Sequence, residues 1–164
     1  MLTQGCPCGY LGDPLHECTC SQGSIDRYLG KISNPLLDRI DIHIEVSPVD
    51  YKDLKGDKKE ESSSIISERV KKARNLQLER YRDDKIFNNS QIINKDIRKY
   101  CKLSPSSEKI MKLAFEKYKF SGRTYNKLLK VSRTIADLDG EESILDSHIL
   151  EAVRYRTLDN KYWG

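Results

Sequence analysis

The chain has 164 residues, 37% of them hydrophobic and 33% charged, with a mean hydropathy of -0.68. No apolar run approaches the roughly 18 residues a spanning helix needs, and amphipathic periodicity in several windows argues against disorder. The net charge is only +4, yet residues 1–61 carry 7 basic and 11 acidic side chains while residues 62–164 carry 22 and 14, an acidic front and a basic back.

The N-terminus lacks a basic stretch followed by an apolar core, so a cytoplasmic location is expected and membrane partners are not. Four of the five cysteines fall in the first 20 residues, as Cys6-Pro7-Cys8 and Cys18-Thr19-Cys20. Two closely spaced pairs joined by Gly9, Gly12, Asp13 and Pro14 can fold back on one another and offer four thiolates to a tetrahedral Zn²⁺. His16, inside the loop, is a possible substitute ligand. The spacing is C-x-C rather than the commoner C-x₂-C, and disulfides or free thiols are the competing readings. A closed set of four ligands points to a structural metal, not a catalytic one. Cys101, in a predicted helix, reads as a small buried apolar residue.

Residues 24–29 predict a short helix, and Asn34-Pro35 a turn. Ile40, Ile42, Ile44 and Val46 then alternate with Asp41, His43 and Glu45, the period of a half-buried strand. A lone strand cannot satisfy its own edges, so its sheet partners must lie elsewhere. Residues 50–64 are polar and read as a linker. A helix over 64–82 follows, with Ile66, Val70 and Ala73 on one face. Its Arg69, Lys71, Lys72, Arg74, Arg80 and Arg82 form either a solvated face or a phosphate-contacting one. Further helices are predicted at 94–101, after the capping Ser104-Pro105 with Ile110, Leu113 and Ala114 as its stripe, and after Ser121 with Tyr125, Leu128, Leu129, Ser132, Ile135 and Ala136 inward as far as Gly140. A last helix is predicted with Asp146 as its cap, Leu145 and Leu150 as a staple, and Ile149, Ala152 and Val153 inside.

Seven short runs in this order carry a resemblance. They are Cys6-Pro7-Cys8-Gly9-Tyr10, the Cys18–Cys20 pair, Pro35 to Asp41, Glu61-Ser62-Ser63, Ser121-Gly122-Arg123, Arg133 to Leu138, and Glu151 to Arg156. Together they resemble the C-terminal part of the magnesium-chelatase-like ComM/YifB proteins, AAA+ ATPases whose best-understood members are hexameric DNA helicases of natural transformation. The resemblance implies a mostly α chain. Residues 1–49 would be the end of an AAA+ α/β core, with the cysteine loop and one strand; 50–86 a linker and basic helix; 87–164 a helical lid. It also implies that Arg39 is an arginine finger reaching a neighbouring subunit's nucleotide, oriented by Asp38 and Asp41, and that Arg123 is a sensor-2 arginine touching phosphate within its own subunit. Arg133 reads as a packing or ion-pair residue.

The departures matter equally. The family's Asn-Pro before the first cysteine is replaced by Gln4-Gly5, and no G-x-x-x-x-G-K-[ST] loop or Mg²⁺-holding acidic pair occurs. The chain is therefore expected to need an AAA+ core or ring neighbours for ATP and Mg²⁺, and not to hydrolyse ATP alone. A zinc-stabilised nucleic-acid-binding module and an inactive remnant are the alternative readings, with DNA as a possible partner.

Overall fold

A computed structural model describes residues 5–46, 48, 49, 51 and 61–158. It divides into two units, residues 1–58 with 156–164, and residues 59–155. Most of the predicted linker, the Gln4 position and residues 159–164 lie outside the described residues.

The first unit contains α1 (Gln22–Leu29) and α2 (Asn34–Leu37), the latter a single helical turn with Pro35 as its second residue, at the place where Asn34-Pro35 predicted a turn. Its apolar centre is small: buried Ile25 and Leu29 pack against the cysteine loop and Leu11. The predicted strand over 40–46 does not form. No ladder pairs with it among the described residues, and Ile42, Ile44 and Val46 are exposed. The β-pattern is real in the residues, but a strand exists only against another edge, and no ladder on residues 40–46 is found among the described residues.

The second unit is helical: α3 (Ser63–Arg80), a 3₁₀ turn at Asn89–Gln91, α4 (Asn94–Tyr100), α5 (Pro105–Tyr118), α6 (Gly122–Asp139) and α7 (Asp146–Arg154). Helix α6 is the axis. It packs on α3, the 3₁₀ turn, α4 and α7, while α5 covers the other side of α7. The expected inward face of α6 is the observed one, with Leu128, Leu129, Ser132, Ile135 and Ala136 buried. Ser132 Oγ donates to the Leu128 carbonyl at 2.8 Å and so needs no outside partner. Ser121 caps the helix by accepting from Thr124 N–H at 3.1 Å. Gly140 ends it at φ 76°, a left-handed position that a Cβ would disfavour.

Three packing expectations need correcting. On α3, Ile66 and Val70 are exposed, and only Ala73 and Gln77 are buried. On α5, Leu113 is 58% exposed while Met111 is 1% exposed. The true stripe of α5 is Ser107, Met111, Ala114. It is disguised because Ser107 is polar, and it is buried because its hydroxyl donates to Asp146 Oδ1 at 2.5 Å. Met111→Ala should therefore cost about 2–5 kcal/mol and Leu113→Ala under about 0.5, readable by urea unfolding; equal effects would place the stripe wrongly. On α7, Leu145 and Leu150 are both exposed, so there is no staple. Asp146 takes hydroxyls from α5 instead, and Leu145 N–H donates to the buried His148 Nδ1 at 3.0 Å.

Candidate functional site

The loop over 5–20 brings the four predicted cysteines together. Gly9 and Gly12 adopt φ 85° and 80°, turning the chain where other residues would be strained. Asp13 Oδ1 accepts from Leu15 and His16 N–H at 2.7 and 3.1 Å, closing the loop tip. The sulfurs of Cys6, Cys8, Cys18 and Cys20 all lie within 4.8 Å of one another. Cys6 Sγ is 3.3 Å from Cys8 Sγ and 3.6 Å from Cys18 Sγ, and Cys8 to Cys18 is also 3.6 Å.

Those separations bear on the disulfide reading. A disulfide needs about 2.05 Å, so none is formed; all five thiols are free. A tetrahedron of thiolates at about 2.3 Å from one ion has edges of about 3.8 Å, close to what is observed. The group can therefore hold a metal ion. The Tyr10 amide and then the Cys6 thiol pull the Cys8 thiol down to about 6, which favours a thiolate at this position. At Cys18 the Cys20 amide favours ionisation, but burial and the neighbouring sulfurs prevail and push it up to about 12. A second thiolate in this crowd awaits a cation, which is the chemistry of a dication site. His16 is not part of that cluster of ligand atoms; it stacks on Tyr10 with ring centroids 4.8 Å apart. Cys101 sits apart in the second unit, its thiol raised to about 11 by burial.

Arg39 stands on a turn just after α2. Its N–H donates to Leu36 O and the Ile40 N–H to Leu37 O, both at 3.0 Å. The side chain is exposed and makes no ion pair or hydrogen bond with the described residues. The expectation that Asp38 orients it fails, because Asp38 Oδ1 faces Arg156 Nη2 at 3.6 Å. Arg123 is the second residue of α6, exposed and likewise without a side-chain partner among the described residues. The two arginines belong to different units.

Other arginines are committed internally. Asp137, 1% exposed, accepts from Arg80 Nη1 and Nη2 at 3.0 and 2.5 Å, from Gln77 Nε2 at 3.1 Å and from Asn89 Nδ2 at 2.7 Å. Arg133 Nε adds a fifth bond at 3.1 Å, and its Nη atoms donate to the Glu142 and Glu141 carbonyls. The packing role expected of Arg133 is what it has. Arg80, expected on the basic surface, turns inward. This knot had no sequence signal beyond the i,i+4 spacing of Arg133 and Asp137.

The family model for magnesium chelatase, subunit ChlI C-terminal, matches residues 60–156. The chain belongs to this family. A second model, for magnesium chelatase subunit ChlI, matches residues 1–54. Within this magnesium-chelatase-like group, the competence protein ComM of Haemophilus influenzae is 40% identical over 145 residues, 87% of this chain and 27% of that protein. The uncharacterized protein YifB of Escherichia coli is 34% identical over 155 residues, 93% and 29% respectively. The chain thus spans less than a third of the length of these relatives. The ComM/YifB resemblance read from the seven runs is therefore established, and the helical second unit coincides with the matched C-terminal segment. No helix among the described residues is long and apolar enough to cross a membrane.

Proposed function

We infer that this chain supplies the arginine-finger and lid portion of a ComM/YifB-type AAA+ ATPase, with Arg39 acting on a neighbouring subunit's nucleotide. The observation that carries the reading is the contrast among arginines. Arg80, Arg133 and Arg156 are tied to carboxylates and carbonyls, whereas Arg39, at the position matching the family's finger, sits on a hydrogen-bonded turn with its guanidinium exposed and without a partner among the described residues, an exposure it shares with Arg74, Arg82 and Arg98. A permanently charged, planar donor held this way is suited to charge that develops on a transferring γ-phosphate. Arg123 has the complementary character. A cation at a helix N-terminus is mildly unfavourable alone but cooperates with the free amides once a phosphate is present.

The phosphate loop and the Mg²⁺ carboxylates must come from polypeptide outside these 164 residues, so the isolated chain should not turn over ATP. Zn²⁺ is the metal we assign to Cys6, Cys8, Cys18 and Cys20, in a structural role that closes the loop. Ring neighbours and DNA are the partners this reading implies, with Lys71, Arg74 and Arg82 as exposed cations available to phosphates.

The test is complementation. A relative's AAA+ core lacking this segment, mixed with the chain, is expected to regain ATP turnover. Arg39→Ala should lower kcat by about 10³-fold, the scale of a lost arginine finger. Turnover by the isolated chain above a no-protein control, or full activity of the Arg39→Ala mixture, would refute the reading.

A further inference from the structure

The Arg39 turn is gripped from far along the sequence. Arg156 follows α7 and belongs to the first unit, with its side chain 2% exposed. Its Nη1 donates to the Leu37 carbonyl at 3.2 Å and to the Ile40 carbonyl at 2.5 Å, 116 residues away, while Nη2 lies 3.6 Å from Asp38 Oδ1. Leu37 and Ile40 bracket Asp38 and Arg39. One buried guanidinium therefore fixes both carbonyls around the residue that projects outward, and draws away the acidic neighbour that would otherwise pair with it.

We propose that Arg156 is a positioning residue for Arg39, holding its turn so that the guanidinium is presented to a neighbouring subunit; this rests on the finger reading above. The chemistry explains the residue type. The target is two carbonyl oxygens and a carboxylate, all acceptors, which calls for a group with several donors and no acceptor. Arginine's planar fork meets them from a single buried stem, whereas a lysine ammonium is shorter and lacks the fixed fork. Desolvating a cation is costly, and a side chain that only filled space here would be better apolar. A charge buried against the backbone on either side of Arg39 is explained by what it orders.

The experiment has two arms on the full chain. In hydrogen exchange, Arg156→Ala is expected to speed the amides of Asp38, Arg39 and Ile40 by about tenfold, the scale of one or two lost hydrogen bonds, leaving α1 and α6 amides unchanged. Arg156→Lys, which keeps the buried cation and guards against simple unfolding, should show a smaller effect at the same amides. In the complemented ATPase, Arg156→Ala should lower kcat by about 10²-fold with the KM for ATP nearly unchanged, the signature of misplacement rather than lost binding. The Arg39→Ala/Arg156→Ala double variant should be no worse than Arg39→Ala alone. Unchanged exchange at residues 38–40, or losses that add in the double variant, would overturn the proposal. An Arg39→Ala variant with full turnover would overturn the finger reading and this proposal with it, whereas the exchange result alone decides whether Arg156 orders the turn.

Discussion

Stripping zinc from the purified chain with a strong chelator is expected to unfold residues 5–46 while leaving the helices of residues 61–155 folded. The reason is the size of the first unit's core. Apart from the cysteines, its apolar cluster among the described residues holds Ile25, Leu29 and the half-buried Leu11, with Leu37 buried beside the Arg39 turn. A unit of this size does not hold itself together by so little burial; such domains are stapled by disulfides or metals. The thiols here are free, so on the zinc reading proposed above the ion would do that work, since structural zinc brings an apparent 10–16 kcal/mol (roughly, at neutral pH) to its peptide. Cys8→Ser or Cys18→Ser should have the same effect as the chelator, because a hydroxyl is a poor substitute for a thiolate ligand. Native mass spectrometry should find one zinc per folded chain, and exchange with and without metal should separate the two units. Equal protection of residues 21–30 in both states would show that the loop stands without an ion, and a stoichiometry of zero after growth in zinc would remove the metal altogether.

This metal dependence would reach the chemistry. Helix α1 packs on the cysteine loop, and the bonds Ile32 N–H to Leu29 O and Leu36 N–H to Ser33 O carry the chain onward into α2 and the Arg39 turn. Arg156 secures the other side of that turn. On the proposed reading, two independent anchors, the metal at the cysteine loop and the Arg156 hydrogen bonds, would hold the segment that carries Arg39.

What the sequence made legible follows from which forces are local. Caps are written in adjacent residues, so Ser104-Pro105, Ser121 and Gly140 marked helix ends correctly. The cysteine cluster was legible because four soft ligands and two glycines admit few arrangements. The strand expected over 40–46 is not paired among the described residues: alternation reports a preference for a sheet, and the second edge was expected outside this chain. On α5, Ala114 is buried and Ile110 packs against the core as expected, but Leu113 was misplaced and Ser107 and Met111 were missed, Ser107 because it hides its burial behind a hydroxyl satisfied by Asp146, 39 residues away. The contacts of Arg156 were invisible for a related reason: its two hydrogen-bonded partners at the Arg39 turn are carbonyls, which carry no residue identity, and its carboxylate partner Asp38 is far away in sequence. Likewise Arg80 looked like one more surface cation until Asp137 was seen to claim it.

That claim makes Asp137 the residue whose loss should most damage the lid. It is a buried carboxylate taking five hydrogen bonds, from Arg80, Arg133, Gln77 and Asn89, and it joins α3, the 3₁₀ turn and α6. Asp137→Ala would leave two guanidinium groups facing each other; Arg133 already has its charged form disfavoured by burial, with Arg80 as a further repulsive neighbour. Breaking a buried pair from one side costs about 3–5 kcal/mol, against roughly 5–15 for the stability of a typical domain. At about 4–8 °C per kcal/mol for a domain of this size, Tm should fall by at least about 12 °C. Asp137→Asn, which keeps the shape and loses the charge, should be milder. Removing both partners, as in Arg80→Met/Asp137→Leu, should recover part of the loss, because no cation from α3 is then buried against a missing carboxylate. Differential scanning calorimetry of the three variants distinguishes this from simple packing: a double variant worse than Asp137→Ala would mean that shape, not charge, holds the helices. The charge account predicts the opposite order, since the knot's stability lies in the mutual satisfaction of ions that neither helix could bury alone.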